Sequence, residues 1–293
     1  MKRRRCTVWM VGVLLLAALW PMAVFADMGP KPSVTVAVAG GEGQAYYGTL
    51  LSQTASTGPA SAWDGRSDYS QCWQYGQWGE EGRPVWEAFV RYQDPDGFYF
   101  LQEWWDCTQT QSFAWTYYPP STFKVLLYFP QEERFLVSPV CQTYAFDSHF
   151  TVQLPEGEGE LLTVTASYQY GWEAVSLVVR YLLTFLVEMG VALLFGYRGR
   201  RALAVLAVVN GATQLGLNLA LGWVNYAAGS MAFVGAYILL ELAVFGVEAA
   251  VYARTLPRRG FGGKGRAVCY SLAANGVSFA LGLWLARVIP GIF

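Results

Sequence analysis

Residues 237–252 read YILLELAVFGVEAAVY. The stretch is apolar enough for lipid, yet it carries Glu241 and Glu248. An acidic side chain at the centre of a membrane helix costs roughly 2.5–3.5 kcal/mol on insertion scales. At about 100° per residue, carboxyls seven positions apart stand nearly eclipsed. The stretch therefore reads as a membrane helix with one polar stripe, and that stripe needs partners on neighbouring helices.

Partners are present. The stretch belongs to an apolar run at 230–253. Three other runs, 174–196, 202–222 and 267–289, are each near the ~20 residues that cross a bilayer. The first carries Arg180 and Glu188, the second Asn210, Thr213, Gln214 and Asn218, and the last Ser271, Asn275 and Ser278. Asn210, Gln214 and Asn218 repeat at i, i+4, i+8, on one helix face. Small residues near the stripes allow close approach. The expectation is an all-α four-helix transmembrane bundle over 172–293. Its interior would be an intramembrane polar cluster of Glu188, Asn210, Gln214, Asn218, Glu241, Glu248 and Asn275. Such a cluster either locks helices together through hydrogen bonds or marks a path for a proton, an ion or a ligand.

The connections orient the runs. Arg198, Arg200 and Arg201 crowd the first, and Arg254, Arg258, Arg259, Lys264 and Arg266 the third, while GWVNYAAG (222–229) has no charge. The positive-inside rule places the basic connections in the cytoplasm. The N-terminus agrees. Lys2 to Arg5 precede an apolar core, and Val24-Phe25-Ala26 resembles a cleavage site, so 1–26 reads as a secretory signal peptide, with an uncleaved signal anchor as the alternative. Localisation follows as a multi-pass plasma-membrane protein, with the domain and the C-terminus outside.

Charge divides the chain in the same place. Residues 27–172 hold 17 acidic and 6 basic side chains, and 173–293 hold 4 acidic and 10 basic. An acidic soluble region repels phosphate and argues against nucleic acid as a partner. Within 27–171, β-type runs at 33–40, 44–53, 98–105, 112–118, 123–129, 134–138, 141–146, 149–154 and 161–168 alternate with turn signals. Gly40 to Gly43 suggest a hairpin. Residues 54–83 read as loop, and PVWEAFVRYQ (84–93) as one short helix opened by Pro84. The expected fold is an extracytoplasmic β-rich, antiparallel sandwich-like domain.

Chemistry is sparse. His149 is the sole histidine and no CxxC occurs, which argues against a zinc site. Asp94 and Asp96 flank a turn and are a calcium candidate, but they lack the other ligands of an EF-hand loop. Cys72, Cys107 and Cys141 allow one disulfide or none, with Cys72–Cys107 the candidate pair. Trp63, Trp73 and Trp78, in the loop-like stretch, form a candidate ligand surface. No catalytic constellation and no cofactor motif is legible.

DMGPKPS (27–33), WEAFVRYQDPDGFYFLQ (86–102), STFKVLLYFP (121–130), VNGATQLGLN (209–218) and ELAVFGVEAAVY (241–252) resemble uncharacterised multipass membrane proteins of Gram-positive gut bacteria. The resemblance implies the same layout, with the outside facing a cell wall, and brings no activity. Two functions stay open. One is a cell-envelope protein that binds or senses an extracellular ligand or partner. The other is a small ion- or proton-coupled transporter, or an accessory subunit. The bilayer is the expected partner, with a membrane-protein partner or a second copy possible.

Overall fold

The computed structural model describes residues 31–65, 73–155, 162–168, 170–257, 260 and 262–288, with backbone alone at 73–80, 283 and 286–288. The proposed signal segment lies outside them. The chain divides at Lys31, and Pro32–Phe293 forms one compact unit.

The β-rich region of that unit holds twelve strands among the described residues, β1 (Ser33–Ala39), β2 (Tyr47–Ser52), β3 (Ser56–Thr57), β4 (Ala60–Ser61), β5 (Tyr99–Phe100), β6 (Trp105–Asp106), β7 (Ser112–Trp115), β8 (Thr122–Phe129), β9 (Arg134–Val137), β10 (Cys141–Gln142), β11 (Asp147–Gln153) and β12 (Thr163–Ala166). One sheet runs β12-β11-β1-β7; the other centres on β8 and β2, with β10, β9, β5 and β6 around them. Alternation in β1 sends Val34, Val36 and Val38 inward. They meet Leu50, Val125 and Leu127 of the second sheet in a shared core, with Phe113, Phe150 and Val152. Helix α1 (Trp73–Arg91) covers the opposite face of the second sheet. Val85, Trp86 and Phe89 there pack on Leu51, Phe100 and Leu126. Strand β8 is buried on both faces because it lies between these two layers.

Three expectations change. Gly40 to Gly43 do not close a hairpin: β1 and β2 belong to different sheets, so the glycines carry a crossover. The sandwich is not wholly antiparallel, since β1 pairs β11 in parallel with Ser33 opposite Asp147. The helix begins at Trp73 and runs through Pro84. Pro84 removes one helical N–H, and the turn that follows it is held by the packing of Val85, Trp86 and Phe89 on the sheet.

The rest of the unit is helical, with α2 (Tyr170–Leu194), α3 (Arg200–Thr255) and α4 (Lys264–Val288) packed pairwise on one another. At 1.5 Å per residue a straight helix of α3's length would far exceed a bilayer. It is broken at Gly229, with φ 78° and ψ 178°, a conformation open essentially to glycine alone. The halves fold back on each other: the Tyr252 hydroxyl donates to the Leu206 carbonyl, and the Thr213 hydroxyl to Glu248. The expected loop over 222–229 is therefore helix almost to its last residue, and the turn is made at one glycine. Helices α2 and α3 are long and apolar enough to cross a membrane. Their outer faces expose Leu186 (66%) and Val208 (71%) among many other large apolar side chains. A water-soluble surface seldom presents so much.

Candidate functional site

The predicted polar cluster separates into two sites. The first is a hydrogen-bonded network in which, among the described residues, only the Asn210 and Asn275 side-chain oxygens lack a partner. Glu188 of α2 and Glu248 of α3 are fully buried. Glu188 accepts from Asn210 Nδ2 at one oxygen and from Ser278 Oγ, at 3.2 Å, at the other. Glu248 accepts from Thr213 Oγ1 at 2.5 Å and from Asn275 Nδ2 at 2.8 Å. Asn275 also donates to the Ser271 carbonyl at 3.0 Å. Every leg of the helical region thus contributes, and the i, i+3, i+4 spacings on α3 and α4 put these donors on the inner faces. Among the described residues neither carboxyl is paired with a lysine or arginine. The arrangement joins helices by hydrogen bonds between unlike polar groups.

The second site is a cavity of about 330 Å³ nearer the Gly229 turn. Gln214, Asn218 and Glu241 line it, together with Arg180, Thr184 and Tyr237. Glu241 and Glu248 do share a stripe, as their spacing predicts, but one faces this cavity and the other the network. Arg180, which the predicted cluster leaves out, is a principal lining group. Its guanidinium lies 5.7 Å from the centre of the Phe233 ring.

A third feature has no counterpart in the predicted sites. The outer face of the first sheet, the start of α2 and the part of α3 just before Gly229 enclose a cleft of about 580 Å³. Thr35, His149 and Thr151 come from the sheet, and Trp172, Glu173, Asn225 and Tyr226 from the helices. Glu173 accepts from the Tyr168 hydroxyl and, at 3.4 Å, from Asn225 Nδ2. Burial, then this bond to Glu173, holds the Tyr168 hydroxyl well above its ordinary pKa. Beside the cleft the Phe146 N–H donates to the Tyr226 carbonyl at 2.9 Å. A β-carbon on Gly229 would meet the Phe146 ring at 2.5 Å. The glycine that turns α3 is thereby also the seat of the β-rich region. The clustering of Tyr168, Trp172, Glu173, Asn225 and Tyr226 around the expected membrane boundary is the only sequence signal that could have found this cleft.

Other candidates resolve differently. Asp94 and Asp96 receive Lys124 Nζ, at 2.9 Å to both Asp94 oxygens and 2.5 Å to Asp96. An ammonium stands where the calcium reading needs a metal. Burial works against the lysine's charge, but hydrogen bonds to Asp96 and Asp94 outweigh it and keep its pKa above the ordinary value. Cys107 is a free, buried thiol that points to the Trp105 carbonyl. Burial, then the neighbouring Asp106, pushes it up to about 12, far from a reactive thiolate. The expected disulfide is therefore not formed at Cys107, and Cys72 lies outside the described residues. Trp63 packs edge-on against Trp86 at 5.2 Å and borders a shallow pocket of about 340 Å³. Trp73 and Trp78 stand on α1, and their side chains lie outside the described residues. Comparison with family models, with curated proteins and with solved structures finds no match for this chain.

Proposed function

We propose that this chain is an integral membrane protein of the cell envelope that binds or senses an extracellular ligand through its exported domain, 27–171. Residues 172–293 serve as anchor and relay. In this reading 1–26 is the secretory signal and four crossings form a transmembrane bundle, α3 supplying a pair of them. The basic connections face the cytoplasm and the C-terminus lies outside.

The observation that carries the reading is the junction cleft, built jointly by the sheet, the start of α2 and the turn of α3. A ligand there touches the same strand end and helix turn that Phe146, Tyr226 and Gly229 hold together. Differential affinity for two arrangements of that joint is all a relay requires. Asp147 and Glu173 beside Trp172, Tyr168 and Tyr226 favour a cationic amine, attracted by carboxylates and by aromatic faces. The test uses the full chain in lipid nanodiscs, with tryptophan fluorescence titrated by spermidine, an oligolysine peptide and an oligoglutamate peptide. Saturable quenching by the two amines, lost in Glu173→Gln, is expected. A flat response to both amines sinks the reading.

A second reading, ion- or proton-coupled transport, is favoured by the order of the cavities. The cleft shares Glu173 and Asn225 with a middle cavity, which shares Arg180, Ser230 and Phe233 with the one ending at Glu241. Proton flux into proteoliposomes that disappears in Glu241→Gln would support it, and absence of flux in the wild type would remove it.

A further inference from the structure

We infer that the 330 Å³ cavity of the helical region binds a small zwitterion with an apolar body, of the class of an apolar amino acid or its dipeptide. The cavity lies between α2, both halves of α3 and α4. It shares no lining residue with the junction cleft, so the inference does not rest on the sensing proposal.

Three buried polar atoms that belong to its lining residues lack a hydrogen-bond partner: Nε of Arg180, Nε2 of Gln214 and Oε2 of Glu241. Gln214 is only 1% exposed. Buried polar groups in a folded protein are almost always satisfied, and one left open marks a strain or an absent partner. Three in one cavity point to a shared partner. Two are donors and call for an acceptor, anionic opposite the guanidinium. The third belongs to a carboxyl and calls for a donor, ideally an ammonium.

Arg180 and Glu241 are opposite in formal charge and line the same space, yet they form no ion pair with each other or with any other described residue. Charges of opposite sign that share a cavity without closing on one another leave room for a molecule carrying both complements. A fatty acid would answer Arg180 and Gln214 but leave Glu241. A simple amine would do the reverse. A zwitterion answers all three. Between the polar groups the wall is apolar, with Leu217, Leu221, Phe233 and Phe279. That combination, apolar walls and a few converging polar groups in this volume range, is the usual make-up of a small-molecule site.

The test is thermal unfolding and calorimetric titration of the full chain in nanodiscs. The probes are L-leucine, L-phenylalanine and Leu-Leu, set against leucinamide (amine only), N-acetyl-leucine (carboxylate only) and decanoate. At least one of the three zwitterions should raise the unfolding midpoint saturably, with leucinamide and N-acetyl-leucine at least about tenfold weaker. Arg180→Met should erase the preference over leucinamide, and Glu241→Gln the preference over N-acetyl-leucine. Gln214→Leu, which removes no charge, should weaken all zwitterions and provides the test if the charge variants do not fold. Thr151→Val, on the sheet side of the junction cleft, should leave zwitterion binding intact, which separates this site from the one proposed above. Decanoate or leucinamide binding as tightly as the zwitterions overturns the inference, as does the absence of any zwitterion response at millimolar concentration.

Discussion

In the β-rich region a buried lysine meets a pair of aspartates; in the helical region a pair of buried glutamates meets only amides and hydroxyls. Lys124 is a charge answered by charge. It ties the turn after α1 to the middle layer of the domain, and both it and the Asp94 side chain are nearly sealed from solvent. Glu188 and Glu248 are answered by side chains that can donate but carry no charge. An ion pair suits a site at the edge of a region, where Asp96 can stay 65% exposed and share the load. A network of neutral donors suits helices whose outer faces are apolar, because its members bind one another without importing a further charge. The same chain therefore uses buried polarity for two purposes, to pin one layer to another and to register helices.

The strongest way to break that comparison is Lys124→Met. It leaves Asp94 buried and unpaired, and removal of one partner of a buried pair costs about 3–5 kcal/mol. Chemical denaturation followed by tryptophan fluorescence should register a loss of that size, and the double variant Lys124→Met/Asp94→Leu should recover much of it. The pH dependence sharpens the point. A lysine whose pKa is raised on folding contributes stability that is fully present below its unfolded value, near 10.4. That contribution disappears as pH rises through the folded value. Alkaline titration of the wild type should show this loss, and Lys124→Met should show none of it.

Gly229→Ala acts on the joint between the two regions. It places a side chain at positive φ, at about 1–3 kcal/mol, and drives its β-carbon into the Phe146 ring. Adding Phe146→Ala should relieve the contact and leave the backbone cost, a partial rescue visible in thermal unfolding. Glu188 tests the network. Glu188→Gln keeps a polar partner for Asn210 and Ser278, so stability in detergent should change by less than about 1 kcal/mol. Glu188→Leu strands both, and should cost about 1–2 kcal/mol. Equal effects of the two substitutions would mean that the charge, rather than the hydrogen bonding, holds these helices.

Much of the helical region is readable from the chain alone. The apolar runs, the polar stripes and the seven-residue spacing of Glu241 and Glu248 are periodic signals, and local geometry suffices to place them on helix faces. Which stripe meets which is not periodic. Glu188 finds Asn210 and Ser278 through contacts 22 and 90 residues apart in sequence, and nothing in the spacing separates Gln214, on the cavity, from Asn210, on the network. The β-rich region is less legible for the same reason. Strands β1 and β11 pair across 114 residues, and the Gly-rich stretch between β1 and β2 looks alike whether it closes a hairpin or crosses between sheets. Gln102 breaks the expected strand at 98–105 with φ 65°, a local conformation for which its residue type gives no sign.

By itself, then, the sequence determined which segments are apolar, where charge is concentrated and which polar groups share a helix face, because each of these depends on neighbours a few residues away. The tertiary structure alone decided that Lys124 closes on Asp94 and that α3 turns back at one glycine seated on Phe146. It alone decided that Arg180, Gln214 and Glu241 surround a single cavity. Those are meetings of distant residues, and only the packing of layers and helices brings them together.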